Sequence, residues 1–412
     1  MSQSITIIGG GIIGVCCGLE LQQRGFNVSI IDDKQDRQGC STGNAGHFAI
    51  EQINPHASWS MLPRIPKMLL DPMGPLTIRW PYFPQLFPWL ARFFWNARSA
   101  SVERSREGLK ALNQQALAAW EALLANIGAP EFLQAKGHLL TAESDKGVAA
   151  LRQMQRQSER HDIRCQWLTK EAMLSMESLL SDTLKAGLWY QDTAFCIEPG
   201  ELLLRLRHEF KQLGGRLERD RIYQVDPDPR GYRLQGEKSY VCQRLLIAAG
   251  AWSHQLTKNL GYSVPLETER GYHLMLPEHQ HCLSRPVASY ERSFIMTPMS
   301  SGLRLAGTVE LAGLKAKPNY QRAHLLQNHA QAILQLPKEF VAQDAWMGCR
   351  PTLPDSLPVL DQSSKHQHLY FAFGHQHLGL TQGAISARLM TAMITGDHVS
   401  MDMSPYRIDR FH

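Results

Sequence analysis

The chain has 412 residues, of which 43% are hydrophobic and 20% charged, enough for the cores of two or three soluble domains. The net charge of +5 is small and scattered, which argues against a nucleic-acid partner, and no apolar run reaches the roughly 18–20 residues of a membrane span. The eight cysteines show no CxxC spacing, and a strand that begins near residue 4 leaves no room for a secretory signal, so we expect reduced thiols and a cytoplasmic location.

The chain opens with a pattern for a strand, a glycine turn and a helix. A β-branched run over residues 5–8 leads into the spacing G-x-G-x-x-G and the first residues of an apolar helix: Gly9, Gly11, Ile12, Ile13 and Gly14. A second strand over residues 27–31 ends in Asp32 and Asp33, near the offset of about 20 residues expected of an acid that accepts from ribose hydroxyls. Helix N–H groups beside a close glycine turn bind a pyrophosphate. The pattern predicts a dinucleotide site; the alternative is a structural turn.

Residues 55–98 differ in composition from the rest of the chain. Prolines recur from Pro55 to Pro88 between tryptophans, phenylalanines and arginines, and at this density they predict no long regular helix before residue 88. One interpretation is an irregular covering segment whose aromatic side chains fill a core or a subunit interface. The other is a contact with a partner or with the inner face of the membrane, because tryptophan, tyrosine and arginine together suit such an interface.

The remaining patterns predict alternating elements along the whole chain. We expect helices over residues 99–127, 145–161, 199–214, 320–334 and 381–394, and strands over residues 137–141, 217–225, 240–249 and 368–372, with a hairpin near residues 232–236. The strand that ends at Ala249 continues into Gly250, Ala251 and Trp252, where backbone can approach a nucleotide. Nucleotide-binding patterns at the start, middle and end favour a discontinuous domain with a second domain inserted in two pieces.

Four blocks together resemble one family. They are the first glycine motif with its acid, residues 41–46, residues 249–253 with 265–272, and residues 348–355 with 374–381, in order over nearly the whole chain. The chain resembles the FAD-dependent D-amino-acid oxidase superfamily, nearest the bacterial D-amino-acid and D-hydroxyproline dehydrogenases. This implies an α/β fold: a Rossmann-like, glutathione-reductase-like FAD domain (1–85, 196–264 and 341–412) with an inserted α+β substrate domain on a mixed sheet (86–195 and 265–340).

The resemblance also implies roles for particular residues. Arg350 falls where relatives hold the substrate carboxylate, although a structural arginine that caps a strand end is the alternative. Tyr272, His273 and Tyr290 are further candidate catalytic residues on the substrate side, for each of which a packing role stays open. The residues expected near the cofactor, besides the first motif, are Ser41, Thr42, Asn44, Ala45, Gly46, Ala249, Gly250, Trp252, Gly374, His375, His377, Leu378, Gly379, Leu380 and Thr381.

Two negative expectations concern metals and covalent flavin. His375 and His377 are spaced like metal ligands, but no third ligand is apparent and the cofactor turn explains them better, so we expect no metal. Cys349 lies near the position of a cysteinyl link in sarcosine oxidases, with an offset one residue short, so we expect noncovalent FAD.

The implied reaction is oxidation of a D-amino or D-imino acid, such as D-hydroxyproline, D-proline or D-alanine, to the imino or oxo acid. Hydride would pass from Cα to flavin N5, and the electrons would pass to a quinone or another acceptor. The alternatives are a glycine/sarcosine-type oxidase or a 2-hydroxy-acid dehydrogenase, the FAD subunit of a heteromeric dehydrogenase complex, and an NAD-dependent dehydrogenase. The last of these would purify colourless.

Overall fold

The computed structural model describes residues 3–33, 39–57, 74–336 and 342–411. Within these ranges, helices and strands alternate along the chain. The helices are α1 (Ile12–Gln23), α2 (Phe83–Asn96), α3 (Ser99–Asn126), α4 (Asp145–Arg160), α5 (Lys170–Met176), α6 (Pro199–Gln212), α7 (Ser253–Lys258), α8 (Gln321–Ile333) and α9 (Gly379–Thr395). The strands are β1 (Ser4–Ile8), β2 (Asn27–Asp32), β3 (His47–Phe48), β4 (Leu76–Ile78), β5 (Leu133–Gln134), β6 (His138–Ala142), β7 (Cys165–Thr169), β8 (Ala186–Tyr190), β9 (Ala194–Cys196), β10 (Arg216–Arg219), β11 (Gln224–Asp228), β12 (Gly231–Gln235), β13 (Ser239–Cys242), β14 (Leu245–Ile247), β15 (Glu267–Leu276), β16 (Val287–Ser289), β17 (Phe294–Met299), β18 (Gly302–Leu311), β19 (Gln343–Thr352), β20 (Val359–Gln362) and β21 (Leu369–Phe373).

The first sheet contains the predicted dinucleotide-binding unit. Its strand order in the described part of the chain is β10-β2-β1-β14-β21-β20, parallel except for β20. Helices α1, α3, α6 and α9 cover one face around a core that includes Trp120 and Met390. The antiparallel sheet β11-β12-β13 and helix α7 lie against the other face, around Val225 and Phe371. The central strands β14 and β21 are buried on both faces, and they accordingly read as continuous apolar runs.

The second sheet is mixed, as expected. Among the described residues its order is β19-β15-β18-β17-β16-β6-β8-β7, with β4 added beside β18. Strands β6 and β16, like β4 and β18, pair in parallel, whereas the neighbours β15 and β19 pair antiparallel. Helix α8 packs against β15 and β18 over a separate apolar core. Two sheets with separate cores agree with the predicted α/β fold class.

A small third sheet lies between these two parts of the chain. Strand β9 pairs with β3, which follows the dinucleotide-binding unit, and with β5, which precedes β6 of the second sheet. The short strand β3 therefore brings His47 close to the beginning of the second sheet.

Sheet pairing differs in detail from the predicted domain boundaries. Strands β4 and β19 pair within the second sheet, although the boundaries assign their residues to the FAD domain. Helix α3, assigned to the substrate domain, packs on α9 beside the first sheet. The division into two discontinuous domains stays a prediction.

Three predicted elements were wrong in their bounds. Helix α2 begins at Phe83, before residue 88, because Pro84 lies in the first turn, where a backbone N–H has no helical partner, and the helix tolerates Pro88. The predicted strand 217–225 is two strands, β10 and β11, in different sheets. The predicted strand 240–249 is likewise divided into β13 and β14. Part of the proline-rich segment, residues 58–73, lies outside the described residues.

No helix in the described part of the chain is long and apolar enough to cross a membrane. All eight cysteines are free thiols, and Cys16 and Cys17 are buried in α1.

Candidate active site

A cavity opens where the parallel strands of the first sheet end. It brings together predicted cofactor residues from the start, middle and end of the chain: Gly9, Gly11, Ile12, Ile13, Asp32, Asp33, Ser41, Thr42, Ala249, Gly250, Trp252, Gly374, His375 and Gly379. The carboxyl edge of a parallel sheet is where such folds bind their ligands. The cavity is not lined by Gly14, Asn44, Ala45, Gly46, His377, Leu378, Leu380 or Thr381.

The first glycine turn is fixed by close backbone contacts. Gly9 has a φ of 110°, and a Cβ there would lie 2.3 Å from the carbonyl oxygen of Ala248. A Cβ on Gly14 would lie 1.9 Å from the oxygen of Gly9, so the absence of a side chain at Gly14 lets α1 pack closely against the glycine turn. Helix α1 starts at Ile12, whose N–H donates to Ser41 Oγ at 3.1 Å. The turn and helix N-terminus therefore suit a dinucleotide pyrophosphate.

Asp32 is positioned at the end of β2 by an arginine that we did not single out from the sequence. Arg207 on α6 donates to Asp32 Oδ2 at 3.0 Å and to the oxygen of Gly10 at 2.6 Å. This contact orients the carboxylate beside the cavity. Asp33 is more exposed, with its carboxylate 3.9 Å from Arg221.

Residues 39–46, which we call the cofactor loop, form a hydrogen-bonded turn. Asn44 Oδ1 accepts from the N–H of Gly46 at 2.8 Å, and the hydroxyl of Thr42 donates to Gly39 at 2.8 Å. Gly46 has a φ of 79°, and a Cβ there would lie 2.8 Å from the oxygen of Cys196. Asn44 and Gly46 therefore shape the loop from outside the cavity.

A buried ion pair anchors the cofactor loop to the second sheet. Arg304 on β18 donates to the oxygen of Asn44 at 2.7 Å and to Glu198 Oε1 at 3.2 Å. Burial lowers the pKa of Arg304, and the Glu198 carboxylate acts in the opposite direction. The signal that could have found this residue is an arginine within the apolar run of β18.

The turn at residues 374–379 ends β21 and begins α9. Gly374 has a φ of 88°, and burial lowers the pKa of His375 to about 3, with His375 Nε2 lying 3.0 Å from Ser386 Oγ. The next residues pack inward: Trp120 Nε1 donates to the oxygen of Leu380 at 2.8 Å, and Thr381 Oγ1 accepts from Ala49 N at 3.0 Å. The N-terminus of α9 therefore lies beside the cavity.

His377 lies on the other side of this turn. Its Nε2 is 2.5 Å from Gln52 Oε1, and its Nδ1 is 3.3 Å from a ring nitrogen of His56. Burial lowers the pKa of His377, and the charges of His56 and Arg350 act in the same direction.

Arg350 lies on β19, directly opposite Glu269 on β15. Its chain neighbours Cys349 and Pro351 line the cavity. The guanidinium of Arg350 lies against the backbone of Gly271, where a Cβ would be only 2.2 Å from Arg350 Nη2. Burial lowers the pKa of Arg350 and Glu269 acts in the opposite direction, yet no hydrogen bond or ion pair joins Arg350 to any residue that the structure describes. This arrangement suits an anionic ligand.

His273 lies on the same face of β15 as Gly271. It stacks on Trp346 at a centroid distance of 4.8 Å, and its Nδ1 is 3.0 Å from the oxygen of Gly43. Burial, with the charges of Arg304 and Arg350, lowers the pKa of His273 to about 3. Because a carbonyl only accepts, the neutral ring carries its proton on Nδ1 and leaves Nε2 as an acceptor.

Two predicted catalytic residues are not brought to this site. Tyr272 points to the opposite face of β15, where its hydroxyl donates to Glu310 Oε2 at 2.6 Å beneath α8. Tyr290 packs beside the apolar cluster that includes Leu140 and Tyr190. We therefore remove Tyr272 from the candidate catalytic set, and the role of Tyr290 stays a prediction.

Comparisons with known proteins agree with this geometry. The chain is 30% identical to a D-amino-acid oxidase of Bradyrhizobium diazoefficiens, over 99% of this chain and 98% of that protein. It is 26% identical to a D-amino acid dehydrogenase of Paramagnetospirillum magneticum, over 99% and 98%. The crystal structure of glycine oxidase from Geobacillus kaustophilus shares the fold with a TM-score of 0.78, at 20% identity over 99% of both chains.

The sequence pattern of the DAO family of FAD-dependent oxidoreductases matches residues 4–393. The glycine turn, the acid of β2 and the late turn before α9 fit the FAD that this family uses. The chain therefore belongs to the DAO family of FAD-dependent oxidoreductases.

Proposed function

We propose that this enzyme oxidises small D-amino or D-imino acids, and that Arg350 holds the substrate carboxylate. The observation that carries the proposal is Arg350: its chain neighbours Cys349 and Pro351 line the cavity, and its guanidinium makes no hydrogen bond with any described residue. A guanidinium binds a carboxylate through two parallel hydrogen bonds and keeps its charge when buried. The names of the two relatives, a D-amino-acid oxidase and a D-amino acid dehydrogenase, support the substrate class.

The chain's own residues would act mainly by positioning the substrate. Bound FAD supplies the acceptor for the two electrons and the hydrogen of the substrate Cα–H bond. His273 stays neutral near pH 7 and offers an acceptor nitrogen, while Arg304 holds the cofactor loop in place. Orientation of a reacting bond by such contacts lowers its barrier without a dedicated base.

An anaerobic substrate panel tests this function. The purified protein is mixed with D-alanine, D-proline, cis-4-hydroxy-D-proline, glycine, sarcosine, a 2-hydroxy acid and the L-enantiomers, and the bleaching of oxidised flavin is followed. We expect bleaching by the D-amino or D-imino acids and not by their L-enantiomers. Bleaching by glycine and sarcosine alone, or by the hydroxy acid alone, would replace the proposal with one of the alternative substrate classes.

We also propose that the electrons pass to a membrane quinone, with α2 as the docking element. Side chains in and before this helix are strongly exposed: Trp80 by 65%, Phe87 by 58% and Trp95 by 62%. The guanidinium of Arg98 lies 3.1 Å over the ring of Trp95, so a positive charge accompanies the aromatic surface. Such a combination suits the headgroup region of an anionic bilayer.

Sedimentation with anionic lipid vesicles tests the docking element. We expect the wild type to pellet with the vesicles, and Trp80→Ser with Trp95→Ser to weaken this binding and to slow turnover with a quinone analogue in vesicles. Tyr320→Ser is the matched control, because Tyr320 is 45% exposed on another part of the chain and does not line the cavity. Equal binding by the double variant and the control would contradict the assignment to α2.

A further inference from the structure

Three side chains of the types that bind metals converge beside the segment that follows the cofactor loop. His47 lies on β3, Glu51 lies four residues after His47, and His138 begins β6. His47 Nε2 is 2.8 Å from Glu51 Oε1, and His138 Nδ1 is 3.4 Å from the same oxygen. One ligand atom from each of the three side chains lies within 4.8 Å of the others.

The three side chains are buried and incompletely paired. His47 and His138 are only 8% and 4% exposed. Within the described ranges, His47 Nδ1, Glu51 Oε2 and both ring nitrogens of His138 are buried without a hydrogen-bond partner, and the approach of His138 Nδ1 to Glu51 Oε1 is a long one of 3.4 Å. A buried polar atom without a partner is costly and rare, so the cluster lacks a group that would satisfy it.

We propose that His47, Glu51 and His138 bind a divalent transition-metal ion, with Zn²⁺ as the ion that fits the donors best. Two imidazoles and one carboxylate form a common protein ligand set for Zn²⁺, and water completes it. Metal–ligand bonds of about 2.0–2.1 Å in a tetrahedron set the ligand atoms roughly 3.3 Å apart. The observed separations of 2.8 and 3.4 Å lie on either side of this value.

The ion would join parts of the chain that are distant in sequence. His47 and Glu51 lie close to Ala49, whose N–H donates to Thr381 in α9, whereas His138 belongs to the second sheet. Bound Zn²⁺ would therefore fasten the segment after the cofactor loop to the second sheet. This inference does not rest on the proposed substrate, because the ligands and their burial are independent of Arg350.

Metal binding to the flavin-loaded protein is the test. After treatment with a chelator and exchange into metal-free buffer, the protein is titrated with Zn²⁺, and metal content and Tm are measured. We expect about one Zn²⁺ per chain and a rise in Tm, because a ligand that binds the folded state stabilises it. Crystals soaked in Zn²⁺ should show an anomalous peak within coordination distance of His47, Glu51 and His138.

Variants separate this site from adventitious binding. Glu51→Gln keeps the shape of the side chain but removes its charge, and we expect a loss of Zn²⁺ affinity of more than about 100-fold. His138→Ala should also abolish the Tm rise, whereas the exposed His398→Ala should not. The proposal is overturned by no Zn²⁺-dependent change in wild-type Tm, by equal affinity in Glu51→Gln, or by an anomalous peak only elsewhere. If a variant loses its flavin, the position of the anomalous peak in wild-type crystals decides whether Zn²⁺ binds at this site.

Discussion

At the scale of single residues, Arg350 is the proposed ligand of the substrate carboxylate. Its chain neighbours line the cavity, Glu269 lies opposite it on β15, and it makes no hydrogen bond or ion pair with a described residue. The sequence alone left two roles open for it, a carboxylate ligand and a cap for a strand end. The absence of a capping contact among the described residues favours the first role.

Replacement of Arg350 by methionine therefore has a specific expected result. We expect Arg350→Met to lower kcat/KM for a D-amino acid by about 30- to 5,000-fold, from the roughly 2–5 kcal/mol that the loss of a buried charged contact costs. The measurement is steady-state turnover with D-alanine or the best member of the substrate panel. Arg230→Met, on an exposed hairpin, is the control. Unchanged kcat/KM in a variant that retains FAD would return Arg350 to a structural role.

At the scale of elements, the cofactor loop depends on a long-range ion pair. Arg304 reaches from β18 to Asn44, and Glu198, just before α6, accepts from the same guanidinium. Both side chains are largely buried, so their contacts join the loop to two segments that are distant from it in sequence.

We expect Arg304→Met to destabilise the protein by roughly 3–5 kcal/mol, because it leaves Glu198 buried without its partner. FAD retention on dilution should fall as well, since the cofactor loop loses its anchor. Urea denaturation and flavin release measure the two effects. Arg164→Met is the control: its pair with Asp192 is exposed and should contribute about 0–1 kcal/mol. An Arg304→Met variant no less stable than this control would show that the pair does not hold the loop.

The sequence predicted elements that depend on local spacing. The unit β1–α1–β2 follows from Gly9, Gly11, Gly14 and Asp32, because the strand, the turn, the helix and the second strand follow one another within about 30 residues of chain. Contacts such as that of Arg304 with Glu198 could not be predicted, since they depend on how distant segments pack. The error at Tyr272 has a related cause. Every residue of β15 is buried, so no alternation of polar and apolar residues showed which face meets the cofactor.

At the scale of the whole molecule, the cofactor cavity draws residues from the first, middle and last parts of the chain. Loss of the parallel sheet would therefore remove every part of the cavity together. Buried histidines couple this structure to pH, because the folded protein excludes protons that the unfolded chain accepts. His273 and His375 both have a pKa lowered to about 3 by burial.

The lowered pKa of His375 fixes the direction in which stability changes with pH. Between its ordinary pKa of 6.5 and its folded value of about 3, the unfolded chain binds a proton that the folded chain does not. The contribution of neutral His375 to the free energy of unfolding is therefore fully present above pH 6.5. It falls by about 1.4 kcal/mol for each pH unit below 6.5. We expect His375→Gln to be less stable than the wild type at pH 7.5, with a smaller loss of Tm on acidification to pH 5. Since exposed His398 is not excluded from water, His398→Gln should keep the wild-type pH dependence. An unchanged pH slope in His375→Gln would mean that the folded protein protonates His375 as readily as the unfolded chain does.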